Sequence, residues 1–337
     1  MRCPWECYPS GLLDLCDAAA LPPDAPVLLT GSLENHTPVV ERIAARRTLM
    51  GCSAASMRTV RDPVALSAVP PHAGLRPCDV CRPDDLQGLG DGTRSTVRPS
   101  GRYLVKPLRG TAGRGIHLWK PGQRVDGDHF LQHYVEGTPI SAVFRADEAQ
   151  TILVGVTEQI IGDPDFGAGG YKYCGSVGPL DLRPRLQSAL THLGGQLAAK
   201  HDLRGLFGVD AILDSSNDIR PVEVNPRYTA SVEILERATG DTALVPSQSR
   251  PSRVESVRPG SAIHGKAIVF ARRESLVGDL YDLIDRGSIA DVPAVGQVVA
   301  RGFPICTLLS GGRDRASCMR SLRTMATRLY GGLDGCA

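Results

Sequence analysis

Four leucines between Pro184 and Lys200, at positions 186, 190, 193 and 197, recur at spacings of four, three and four. Such spacing makes one apolar stripe on a helix. Pro184 suits its first turn, and Lys200 and His201 suit its carbonyl end. A period of two takes over afterwards. In Arg220-Pro-Val-Glu-Val-Asn-Pro-Arg227, Val222 and Val224 alternate with Glu223 and Asn225. The pattern predicts a strand with both valines in a core and the two polar side chains on the opposite face. Gly208–Leu213 reads as its partner strand, and the polar run Asp214–Asp218 has turn composition. If Ser215–Asp218 forms a four-residue loop, Asp210 faces Glu223 across the pair at ~5 Å. A slip of one residue would move Asp210 to the wrong face. Asp210, Glu223 and Asn225 together make an all-oxygen donor set of the kind Mg²⁺ prefers. A half-exposed hairpin with solvated acids is the competing reading.

The same patterning organises the rest of the chain. Ala25–Gly31 reads as a short buried strand. A helix is expected to follow, with Thr37 as N-cap, Pro38 at its first position, Val40, Ile43, Arg47 and Met50 at helical spacing, and Gly51 as its stop. That strand–loop–helix unit is Rossmann-like but lacks GxGxxG, so dinucleotide binding is not supported. Its loop residues Glu34, Asn35 and His36 either touch a ligand or satisfy turn backbone. Residues 62 to 101, rich in Pro, Gly and Asp, read as short strands and loops. A strand carrying Lys106 then enters a loop with Gly110, Gly113 and Gly115, where glycines let backbone N–H groups approach phosphate oxygens. No Lys-Ser/Thr follows, so this is no Walker loop. Apolar strands are expected at 129–137, 138–144 and 151–157, in one small α+β lid sheet. The loop Gly167–Gly175 carries Lys172. A helix is expected over 229–239, stopped by Gly240, then a loop or insert over 241–260, strands at 262–271, 296–300 and 304–309, and a closing helix over 315–330.

Composition narrows the function classes. The chain has 337 residues, enough for two or three subdomains, and a formal net charge of +2, which gives no electrostatic case for nucleic acid or membranes. No apolar run approaches the ~18 residues of a membrane span, and the acidic, proline-broken start is a poor signal peptide. Ten cysteines in this length do not make a disulfide scaffold. Cys78 and Cys81 form a lone CxxC with no second ligand pair for zinc, so they read as free thiols in a reducing cytoplasm. Arginine dominates the basic residues, and lysine persists only at 106, 120, 172, 200 and 266.

In chain order, the Lys106 strand and glycine loop, the strand ending near Val135, the Asp210 strand and Glu223-Val-Asn-Pro-Arg227 resemble the ATP-grasp superfamily over roughly residues 100 to 310. The resemblance implies a mixed α/β and α+β fold. A Rossmann-like N-terminal domain (1–100) would precede a lid subdomain (101–180) and a metal and substrate subdomain (181–337), which clasp ATP. It implies Lys106 on the α/β-phosphates and the Gly110, Gly113 and Gly115 loop closing over the β and γ groups. The backbone of Gln132, His133, Tyr134 and Val135 would read adenine. Asp210, Glu223 and Asn225 would hold one or two Mg²⁺ ions, with Mn²⁺ as an alternative. Arg227 would stabilise the transferring phosphoryl group or the acyl phosphate, and Lys172 would approach from its mobile loop as a candidate phosphate clamp. The superfamily often has a second nucleotide lysine before the lid; none precedes Lys106 here, and Arg61 or Arg102 is the substitute. Within the superfamily, Glu223-Val-Asn-Pro-Arg-Tyr-Thr-Ala-Ser231 and Tyr173-Cys-Gly-Ser176 resemble carboxylate–amine ligases such as tyramine–glutamate ligases of methanofuran and tetrahydromethanopterin-type one-carbon cofactor synthesis. Small-molecule acid and amine partners are thereby implied, with a homodimer left open. An ATP-grasp kinase, a bicarbonate-activating carboxylase and a nucleotide binder without turnover are the alternatives.

Overall fold

The computed structural model describes the chain apart from residues 1–7, 18–20, 23, 83–100, 241–255, 258–259 and 335–337. The expected insert at 241–260 and the boundary at Ser100 therefore lie largely outside the described residues. Two antiparallel sheets of unequal size dominate. The smaller holds β1 (Val80–Cys81), β2 (Tyr103–Pro107), β3 (His117–Leu118) and β4 (His129–His133), in the order β1-β4-β2-β3. The larger is built from β5 (Gly137–Ala146), β6 (Thr151–Ile161), β7 (Tyr173–Gly178), β8 (Gly205–Asp214), β9 (Ile219–Asn225) and β10 (Ile263–Phe270). A separate ribbon pairs β11 (Ser275–Leu276) with a later strand. The large sheet is completed by β12 (Ile289–Ala290) and, beyond the ribbon's second strand β13 (Val298–Val299), by β14 (Pro304–Gly312). Its order is β12-β14-β10-β7-β6-β5-β8-β9.

The helices are α1 (Leu12–Cys16), α2 (Thr37–Ala44), α3 (Ala54–Val60), α4 (Pro184–His201), α5 (Ala230–Thr239) and α6 (Arg315–Asp334). The leucine stripe of α4 is buried along its whole length, and it shares one core with Val40, Ile43, Met57 and Val60 of the N-terminal helices and with Ile140, Phe144 and Phe207 of the large sheet. The N-terminal segment is thus fastened to the large sheet through α4. On the sheet's other face, Val232 and Leu235 of α5 pack on Val143, Val154 and Leu206. A second core joins β7, β10 and β14 to α6.

Three expectations change. The helix from Thr37 ends at Ala44 rather than Met50, because residues 48–50 leave it to bracket Val27. Val27 N–H donates to Thr48 O at 2.8 Å and Met50 N–H to Val27 O at 2.8 Å. This parallel bridge between Val27 and Leu49 is what remains of a Rossmann-like β-α-β unit. The strands at 138–144 and 151–157 do not share a sheet with His129–His133. β5 pairs over ten residues with β8, from Gly137↔Asp214 to Ala146↔Gly205, and that long ladder commits β5 and β6 to the large sheet. Finally, Val222 is not a core residue. β8 and β9 turn tighter than expected, with Leu213 opposite Ile219, and a bulge at Val222 then restores Asp210↔Glu223. The bulge turns Val222 to the cleft, while Val224 joins the core at 3% exposure.

Candidate functional site

A cleft of about 530 Å³ opens between the small sheet and the β5–β8–β9 end of the large one. Lys106 enters it from β2, the glycine loop from the β2–β3 turn, and Tyr134 and Val135 from the connection between the sheets. Asp210, Glu223, Asn225 and Arg227 come from the opposite side, with Tyr171, Tyr173 and Ser231 nearby. Eleven of the thirteen residues given roles from sequence therefore meet in one place: Lys106, Gly110, Gly113, Gln132, His133, Tyr134, Val135, Asp210, Glu223, Asn225 and Arg227.

The register decides what Asp210 and Glu223 do. Because they face each other across β8 and β9, their charges repel. Burial pushes the Asp210 carboxyl up to about 6, and the Glu223 charge adds to the rise. Glu223 moves the other way. Burial alone would raise it, but Arg61, Lys106 and Arg227 hold it below the usual carboxylate value. Burial depresses the Lys106 ammonium, against the pull of Glu223 and Asp210. Lys106 Nζ donates to Gln132 Oε1 at 3.0 Å, and Gln132 Nε2 donates to the Val222 carbonyl at 3.1 Å. Gln132, only 3% exposed, is therefore a brace for the lysine and the bulge.

Asn225 differs from its expected pose. Its Nδ2 donates to Asp210 Oδ2 at 2.9 Å, and its Oδ1 accepts from Arg227 at 3.4 Å. Turning the amide over would present the oxygen to the Asp210–Glu223 gap. Among the described residues no three His, Cys, Asp or Glu side chains cluster as a metal site. Two facing carboxylates and an adjacent amide nevertheless fit a divalent cation whose other ligands come from a bound phosphate, because a cation would relieve the repulsion that raises Asp210.

The N-terminal segment supplies two residues to this centre. Glu34 is buried, and both of its oxygens accept from Arg227 Nε, at 3.0 and 2.9 Å. Arg61 donates to Glu223 Oε1, and its Nη2 approaches Asn35 Oδ1 and the Gly110 carbonyl at 3.4 Å each. Arg61 thus stands beside the glycine loop, whereas Arg102 is exposed, pairs with Glu136 at 2.9 Å and stacks over Tyr134 at 4.4 Å. Glu34 was legible only as a loop acid, since nothing local shows that it reaches Arg227 193 residues away.

Two expected residues do not line the cleft. Gly115 lies past the loop tip at φ +78°, on the way to β3. Lys172 points elsewhere: between Tyr171 and Tyr173, which turn into the cleft, it donates to the Gly302 carbonyl at 3.1 Å and lies 4.4 Å over the Phe270 ring. The loop tip itself rests on this segment. A Cβ on Gly113 would lie 1.8 Å from the Tyr171 carbonyl oxygen, and its φ is +75°, so only glycine fits. Tyr173 N–H donates to Ala112 O at 3.2 Å, which closes the loop over the cleft. Cys78 and Cys81 are buried and form no disulfide.

A small sheet folded over the edge of a large antiparallel one, with the cleft between them, is an ATP-grasp fold. Residues 92–231 match the family model described as an ATP-grasp domain. No curated protein sequence matches the chain. Among solved structures it is similar to Rhizobium etli pyruvate carboxylase, at 12% identity and TM-score 0.67, covering 93% of this chain but 30% of that one. The L-amino acid ligase of Bacillus licheniformis aligns at 14% identity and TM-score 0.61, over 87% of this chain and 76% of that one. Phosphoribosylamine–glycine ligase of Thermotoga maritima aligns at 16% and 0.62, over 92% and 84%. Among the described residues no helix is long and apolar enough to cross a membrane.

Proposed function

We propose that the protein is an ATP- and Mg²⁺-dependent, ADP-forming ligase that joins a small carboxylic acid to an amine. One observation carries the reading: Asp210 opposite Glu223, with Lys106 and Arg227 in the same cleft beneath a glycine loop. A carboxylate is a poor electrophile. Its oxygen attacks the γ-phosphorus, ADP leaves, and an acyl phosphate remains; the amine nitrogen then attacks the acyl carbon, and phosphate departs with the C–O electrons. The divalent cation supplies charge neutralisation on the phosphates. The chain does the rest. Lys106 and the glycine loop hold the phosphates, Arg227 is aimed by Glu34, and the closed loop keeps water from the acyl phosphate. His133 N–H is spent on Asp79 O and Tyr134 N–H on Arg102 O, so adenine reading falls to Val135 and nearby carbonyls.

The finer assignment is to ligases like the tyramine–glutamate type, with glutamate as the acid, in one-carbon cofactor synthesis and in the cytoplasm. It rests on the Glu223–Ser231 and Tyr173–Ser176 segments. The boundary near residue 100 belongs to the same proposal, whereas one at 180 would cut the large sheet between β7 and β8. The test is ADP release over a panel of acids and amines. ADP and phosphate appearing only when both substrates are present supports the reading; AMP and pyrophosphate reject it.

A further inference from the structure

A second cavity, about 480 Å³, lies outside the cleft, between the N-terminal helices and the base of the small sheet. It is nearly as large as the cleft and falls within the range of small-molecule sites. The two share Glu34. A small pocket between them, the neck, shares Arg61 and Leu108 with this cavity and Lys106, Gly110 and Glu223 with the cleft, and the Arg61 hydrogen bonds to Glu223 and to the Gly110 carbonyl span it. The arginines on its wall are Arg58, Arg61, Arg82 and Arg109, against two carboxylates, Glu34 and Asp62. Both carboxylates are already taken. Glu34 holds Arg227, and both oxygens of Asp62 accept from Arg82, at 2.7 and 2.6 Å. Arg58 leans on Glu41, outside the cavity, in a pair about half exposed on each side, and such pairs hold weakly. Arg109 pairs with nothing among the described residues. A concave wall with a surplus of one sign concentrates counter-ions, and guanidinium forks match carboxylate and phosphate oxygens.

We infer that this cavity binds the acid substrate, and that the substrate carries a second anionic group, a carboxylate or a phosphate, beside the carboxyl that reacts. Arg58 and Arg109 hold the second group, and the reacting carboxyl points through the Arg61 neck toward Glu223. The inference rests on the ligase reading of the cleft, but its test separates the two. Full-length protein saturated with Mg-ADP is titrated calorimetrically with inorganic phosphate and, separately, with glutarate. Wild type is compared with Arg58→Glu, Arg109→Glu and the milder Arg58→Gln and Arg109→Gln, each checked by its thermal melt. Expected is binding of at least one anion, weakened tenfold or more by each reversal and less by each glutamine, with Mg-ADP affinity within twofold of wild type. The tighter anion names the second group. No binding of either anion, or binding that the reversals leave unchanged, as when phosphate simply fills the place beside ADP, overturns the inference. Failure of wild type to bind Mg-ADP sinks the ligase reading instead.

Discussion

Replacing Glu34 with glutamine tests whether the N-terminal segment is part of the active machinery. The substitution keeps the shape and removes the charge. Arg227 then keeps neutral acceptors only, the glutamine Oε1, the Tyr228 carbonyl at 3.2 Å and Asn225 Oδ1 at 3.4 Å, and loses its counter-charge. The carboxylate is 1% exposed and its arginine 16%, so water compensates little. Removing one partner of a fully buried pair costs about 3–5 kcal/mol. Arg227 borders the cleft and regains some hydration, so about 2–3 kcal/mol is expected here. Urea unfolding followed by circular dichroism reads that loss as a lower midpoint at unchanged slope. A bound polyphosphate would give Arg227 a new anion, so saturating Mg-ATP should raise the midpoint more in the variant than in wild type. Turnover should fall at least tenfold, because the guanidinium is no longer aimed. A midpoint shift under about 0.5 kcal/mol together with wild-type turnover would refute the reasoning.

Glu223→Gln should remove most Mg²⁺-dependent turnover and leave the fold intact, as ADP release and a far-ultraviolet spectrum will show. Gly113→Ala forces a side chain into a positive-φ position against the Tyr171 carbonyl. Strain of about 1–3 kcal/mol should lift the loop and weaken ATP binding in calorimetry; unchanged affinity would mean the loop does not cover the nucleotide. Lys172→Ala should leave ATP affinity within twofold, since this side chain is turned to Gly302 and Phe270; a tenfold loss would restore it as a phosphate clamp. The pH dependence follows from Asp210, whose carboxyl is raised by burial from its ordinary 3.8 to about 6. The proton competes with the cation, so the Mg²⁺ affinity of the ADP complex should fall as pH drops through about 6 and level off above it. Without the cation the folded state binds that proton more tightly than the unfolded chain does. Asp210 therefore costs stability as pH rises from 3.8 to about 6; a Mg²⁺ affinity flat across that window would contradict the assignment.

Local patterning revealed most of the elements. The α4 stripe is buried as spaced, α5 begins after Thr229 and ends before Gly240 at φ +68°, and Asp210 meets Glu223 because both side chains belong on one face. The register arises from two offsetting features, a tighter turn and a bulge at Val222, and bulges leave no clear mark in composition. Sheet membership was not legible either. β4 and β5 are separated by three residues yet belong to different sheets, and only the ladder with β8, some seventy residues on, decides it. Lys172 misled because alternation places its two tyrosine neighbours, not the lysine, in the cleft. Glu34 and Arg61 reach the site only through the shared core with α4, which no short-range pattern encodes.

The central claim, a divalent cation held between β8 and β9 with the nucleotide, is tested most directly by anomalous diffraction from crystals grown with Mn²⁺ and ADP. A peak is expected between the carboxylates of Asp210 and Glu223, with the ADP phosphates beneath the Gly110–Gly113 loop and Arg61 withdrawn from Glu223. Nucleotide bound in the cleft with no peak at those carboxylates, or a peak elsewhere in the chain, would contradict it.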